Sequence, residues 1–185
     1  TSHRNGEKRA GKESEDWILG IAAVEIEEAL SLPRRERALI TLMADDLEKH
    51  IEIVTRKNGE AWELAEGEKK IQTYVAVQKA LLKLDSSTIT YHILEKFYAD
   101  WKAPSRETLE YISEHLDILY ENTKKILSHP YGERFYQLAE KYDTPYLIVG
   151  DVLSEDIDRF EEILANPSEL EEEIRAAYDR RHAKL

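Results

Sequence analysis

The chain is predicted to be all-α, an antiparallel bundle of about seven or eight helices with short breaks at Pro, Gly and Ser. Three observations predict this. Apolar residues recur three and four positions apart through most of the length, the period of a helix with one buried face. The five Pro, with Gly59 and Gly132, stand where that pattern stops. The run Tyr146-Leu147-Ile148-Val149 could be read as a strand, but nothing else of strand character is there to pair with it.

In chain order, residues 1–13 are polar and mixed in charge and are read as a flexible tail. Residues 14–185 are read as one all-helical domain, and 129–132 is where it would subdivide. A first helix is expected from Ser14 to Leu32, with Ser14 as N-cap and Glu15 and Asp16 at its positive end. A long second helix is expected from Pro33 to Gly59, as the spine around which the others pack. Pro33 suits the first helical position and Asn58-Gly59 a left-handed end. Ile40, Met43, Leu47, His50 and Val54 form its seam, widened by Leu39, Leu42 and Ile51.

A third helix follows from Glu60 to Leu84 and a fourth from Ser87 to Lys102. The fourth is apolar on most sides, the pattern of a central or interface helix. Pro104-Ser105 restarts the chain into a fifth helix, Arg106 to Ser128, ended by Pro130-Tyr131-Gly132. A short sixth covers Glu133 to Tyr142, Thr144-Pro145 opens a seventh to Ala165, and Ser168 to Glu171 reads as the capping box of an eighth ending near His182.

The 185 residues suffice for a real core, and the formal net charge is −12. Lys and Arg cluster only at Arg34-Arg35-Arg37, Arg180-Arg181 and the first residues, which argues against nucleic acid or an anionic membrane as partner. The absence of Cys excludes disulfides and thiolate metal sites. No apolar run reaches the ~20 residues of a membrane span. The first residues lack the apolar stretch of a signal peptide, so a cytoplasmic location is expected. Four Asn, three Gln, one Met and many Glu, Lys and Arg follow the trend of heat-adapted proteins.

The densest set of potential ligands is Asp45, Asp46, Glu48 and His50 on the second helix, with Glu25 and Glu28 on the first. Paired acidic helices of this kind resemble the Mg²⁺-holding motifs of all-α nucleotide pyrophosphohydrolases. That resemblance implies a carboxylate-based Mg²⁺- or Mn²⁺-dependent hydrolase or lyase. Around the turn at Pro33, however, an antiparallel hairpin would offset the two sets by roughly 10 Å, too far for one ion. A solvated acidic face is the simpler expectation, with no cofactor. His50 is expected in the seam, oriented by Asp46 one turn away.

Asp45-Asp46-Leu47-Glu48 also resembles the aspartate-rich motif of class I terpene synthases, and Gly150, Ser154 and Asp158 occupy the positions of their second metal motif. Gly150 stands where that family has a ligating Asn, and the match covers under a tenth of the chain. Arg175 and His182, separated by six residues, resemble the Arg/His pair of HEPN-type ribonucleases. The C-terminal Ala183-Lys184-Leu185 resembles a peroxisomal tripeptide.

Ten Tyr and three Trp are many for a helical chain with three Phe. Phe97, Tyr98, Trp101, Tyr111 and Tyr120 fall on or beside the fourth and fifth helices. They are read as core, or as an interface where one end is apolar and the other wet. The expected function is therefore a non-catalytic helical binding or assembly protein, self-associating or docking a protein partner.

Overall fold

The computed structural model describes residues 2–30, 34–51, 64–155 and 166–182. Among them are eight helices and no strand. The helices are α1 (Ser2–Leu30), α2 (Arg34–His50), α3 (Glu66–Leu81), α4 (Ser86–Phe97), α5 (Arg106–Glu114), α6 (Leu116–Leu127), α7 (Gly132–Glu155) and α8 (Pro167–His182). They sort into two compact units: α1 with α4, α5 and α6, and α2 with α3, α7 and α8. The chain crosses from one unit to the other three times, the last time after Gly132.

The first unit is built on α1 against α4. Ile21 and Val24 of α1 bury with Tyr91 and Leu94 of α4, and Trp17, Tyr98 and Trp101 pack on that cluster. Six consecutive residues of α4, Ile89 to Leu94, are buried, so this helix is enclosed on every side, as its broad apolar pattern predicts. One of the six is His92, whose Nε2 lies 2.8 Å from Oε1 of the buried Glu28 on α1. Asp85 caps α4, accepting from the N–H groups of Ser87 and Thr88 at 2.7 and 3.0 Å. The bond from Thr88 is the main reason its carboxyl sits below the ordinary range. The cap thus falls at Asp85, and α4 ends at Phe97, short of the expected Lys102.

Ser105 caps α5 by accepting from the Thr108 N–H at 3.1 Å. Asp100 braces the same turn, bonded by the Thr108 hydroxyl at 2.7 Å and the Ser105 N–H at 3.1 Å. The long fifth helix expected from sequence is broken at His115, which ends α5 and starts α6. Its Nδ1–H donates to the Tyr111 carbonyl at 2.9 Å and its ring stacks on Tyr111, so the side chain takes over a carbonyl at the end of α5.

In the second unit α2 packs on α3. Leu39, Ile40, Met43, Ala44 and Leu47 are buried along α2, as the seam predicts. Leu42 is half exposed and does not widen it, and Val54 lies outside the described residues. The expected continuation of this helix toward Gly59, and of the next back to Glu60, also falls on residues not described. In the first unit α1 and α4 bury their apolar faces on each other, so each unit has buried side chains of its own.

The expected break at Thr144-Pro145 is absent: α7 runs through Pro145 as one helix, and Tyr146 to Val149 are helical. Proline removes one hydrogen bond and crowds the carbonyl four residues back. Packing beyond it holds the helix, because Gly150 brings α7 so close to α2 that a Cβ there would lie 2.6 Å from a methyl of Leu39. Gly20 plays the same part between α1 and α4, where a Cβ would lie 2.5 Å from the Ser87 hydroxyl. Helix α8 starts at Pro167, one residue before the expected cap, and reaches His182. Helix α1 begins at Ser2, well before Ser14. No described helix is long and apolar enough to cross a membrane.

Candidate functional site

Among the described residues, a surface feature stands out in each unit. In the first unit it is an aromatic and apolar face. Trp17 meets Tyr120 edge to face at 5.6 Å, and Tyr91 meets Trp101 in the same way at 6.3 Å. Tyr98 lies 6.1 Å from Trp101 and 6.5 Å from Tyr111. Burial, and then the neighbouring Tyr111, push the Tyr98 phenol above its ordinary pKa.

Of the five aromatics singled out in sequence, Tyr98, Trp101 and Tyr120 are partly buried in this network, whereas Phe97 and Tyr111 are exposed. The Nε1 groups of Trp17 and Trp101 are buried with no hydrogen-bond partner among the described residues. Both indoles sit in edge-to-face pairs, an arrangement in which an N–H can meet a π face. Both also line a pocket of about 200 Å³ with Ile18, Glu25, Ile112 and Leu116. Tyr120 is tied to α1 by its hydroxyl, which donates to Glu13 at 3.2 Å, and Lys124 reaches the same carboxylate at 3.4 Å.

In the second unit the feature is a cavity of about 370 Å³ between α2 and α7, lined by Asp46, Leu47, His50, Ile51, Leu138, Tyr142, Pro145 and Tyr146. Helix α2 contributes Asp46 and His50, one turn apart, and α7 contributes Tyr142 and Tyr146, also one turn apart. The Tyr146 hydroxyl donates to Oδ2 of Asp46 over a short 2.5 Å. Desolvation, then this bond and the Asp46 charge, push the Tyr146 phenol up to about 12.

His50 is not in the core: its side chain is 73% exposed at the end of the seam. Its Nδ1 lies 2.8 Å from the Asp46 backbone carbonyl, which can only accept, so Nδ1 carries the proton. The carboxylate is farther from it, at 3.7 Å. Asp46 thus partners Tyr146 through its side chain and His50 chiefly through its backbone.

The remaining ligand candidates are scattered. Asp45 is exposed, Glu48 reaches Lys70 on α3 at 3.9 Å, and Glu25 is exposed on α1. Glu28 is the buried partner of His92. Among the described residues no three His, Asp or Glu gather where they could hold a metal ion. Arg175 pairs with Glu171 at 3.0 Å, and Asp158 and the side chain of His182 lie outside what is described.

Sequence reasoning missed Tyr142 and Tyr146. The signal was present, since four residues apart on a helix means one face, but a break at Pro145 would have separated them.

The titration of Tyr146 can be checked directly. Its neutral form is favoured in the folded state, so its contribution to stability is full below pH 10 and is lost as pH rises from about 10 through about 12. An ultraviolet titration of the folded protein is expected to show a phenol ionising near 12 that Tyr146→Phe removes. If the phenol lost on substitution were one that ionises near the ordinary value of about 10, the Asp46 contact would be contradicted.

No family model matches the chain, and neither a curated protein nor a solved structure does.

Proposed function

We propose that this is a non-catalytic helical binding and assembly protein, built of antiparallel helical hairpins, that associates with a second copy of itself or with a protein partner. The observation that carries the reading is on α1. Leu19, Ile26 and Leu30 are 67%, 63% and 83% exposed, at successive spacings of seven and four residues. That is the repeat by which one helix packs along another. Phe97, Leu109, Tyr111 and Ile118, also exposed, add apolar surface in the same unit. Exposed large apolar side chains at such a spacing on one helix suit a protein–protein surface.

Light scattering on the purified protein is expected to give a mass above the 21.5 kDa of one chain. Leu19→Glu combined with Ile26→Glu is expected to return it to one chain without loss of helix content. A monomer whose melting temperature rises with Mg²⁺ or Mn²⁺ would sink the assembly reading in favour of a metal-dependent enzyme, since a ligand that binds the native state must stabilise it.

A further inference from the structure

We propose that the cavity between α2 and α7 is a binding site for a small organic cation, an ammonium group carried on an aryl or alkyl body. Its polar groups present acceptors. The Tyr146 hydroxyl occupies Oδ2 of Asp46 and leaves Oδ1 with acceptor capacity. Nδ1 of His50 donates to the Asp46 carbonyl, so Nε2 is the ring atom with acceptor capacity whenever the imidazole carries a single proton. The lining contains no Lys or Arg among its described residues, so no ammonium or guanidinium of the wall takes the carboxylate; its neighbours there are the Tyr146 hydroxyl on Oδ2 and His50 Nδ1, 3.7 Å from Oδ1.

The rest of the wall suits the remainder of such a ligand. Leu47, Ile51, Leu138 and Pro145 are apolar, and Tyr142 and Tyr146 add aromatic rings. A ring face attracts a cation. Tyr142 already shows that preference, with Lys141 Nζ 5.4 Å from its ring centre.

The volume of about 370 Å³ lies in the range of small-molecule pockets. A carboxylic acid would meet Asp46 with like charge, and a neutral alcohol would forgo the charge-assisted bond. The chain's net charge of −12 favours cation approach from a distance.

The test is calorimetric titration of the full chain with three ligands of one shape: 2-phenylethylamine, 2-phenylethanol and 3-phenylpropionate. The amine is expected to bind saturably, with the alcohol and the acid each about tenfold weaker or worse. Asp46→Asn is expected to weaken the amine by about tenfold and leave the alcohol unchanged. Equal affinity for amine and alcohol in the unmodified protein would overturn the proposal, leaving a merely apolar pocket, as would no saturable amine binding at millimolar concentration. Because the three-ligand comparison needs no variant, it decides the matter even if Asp46→Asn fails to fold.

Discussion

Glu28→Ala is expected to cost about 3–5 kcal/mol of stability, because it takes from the buried His92 ring its carboxylate partner and leaves a cavity in the core. Glu28 and His92 are 8% and 3% exposed and meet at 2.8 Å between α1 and α4. The substitution removes a polar partner and opens space beside the Ile21, Val24, Tyr91 and Leu94 cluster. Two of the three tryptophans, Trp17 and Trp101, pack on that cluster, so intrinsic fluorescence in a urea titration follows this unit well. At roughly 2–4 °C per kcal/mol for a chain of this size, the midpoint of thermal unfolding is expected to fall by about 10 °C. Replacing both residues by leucine is expected to recover much of the loss, because an apolar pair carries no desolvation penalty. A loss under about 1 kcal/mol for Glu28→Ala would reduce the pair to the value of a surface ion pair.

Met43→Ala is expected to cost about 2–5 kcal/mol, through lost burial and the cavity left behind. Met43 is fully buried on α2 among Leu39, Ile40 and Leu47. Leu42, its neighbour, is half exposed, so Leu42→Ala should stay within about 1 kcal/mol. Denaturation followed by far-ultraviolet circular dichroism compares the two. Equal effects would mean that the α2 seam is not buried on the face described.

The helical class was legible because burial on one face leaves a periodic trace, and Ile40, Met43 and Leu47 bear that trace and are buried. The ends of helices were less so. Local rules place a break at Pro145, yet contacts far along the chain, Gly150 against Leu39 and Tyr146 against Asp46, keep α7 whole. At His115 the reverse holds: no Pro or Gly marks the break, which is made by a ring bonding a carbonyl and stacking on Tyr111.

The same limit governed the sites. Asp46 and His50 stood out because both lie on one helix at close spacing. Glu28 looked like a surface carboxylate because its partner, His92, stands 64 residues away, and no local pattern announces such a meeting. The exposed row Leu19, Ile26 and Leu30 needed burial to be seen, since sequence alone cannot say which apolar positions stay uncovered.

The interleaving of the two units shapes how the chain can fold. During synthesis α1 emerges long before α4, and at about 5–20 residues per second Glu28 waits on the order of 3–13 s for His92 to appear. Throughout that interval the apolar face that α1 will bury on Tyr91 and Leu94 is uncovered, while α2 and α3, consecutive along the chain, can already collapse on each other. The local α2–α3 pair therefore condenses early and the long-range closure of α1 onto α4 comes late. Until that late step the nascent chain keeps apolar surface exposed, the condition in which folding chains are prone to aggregate.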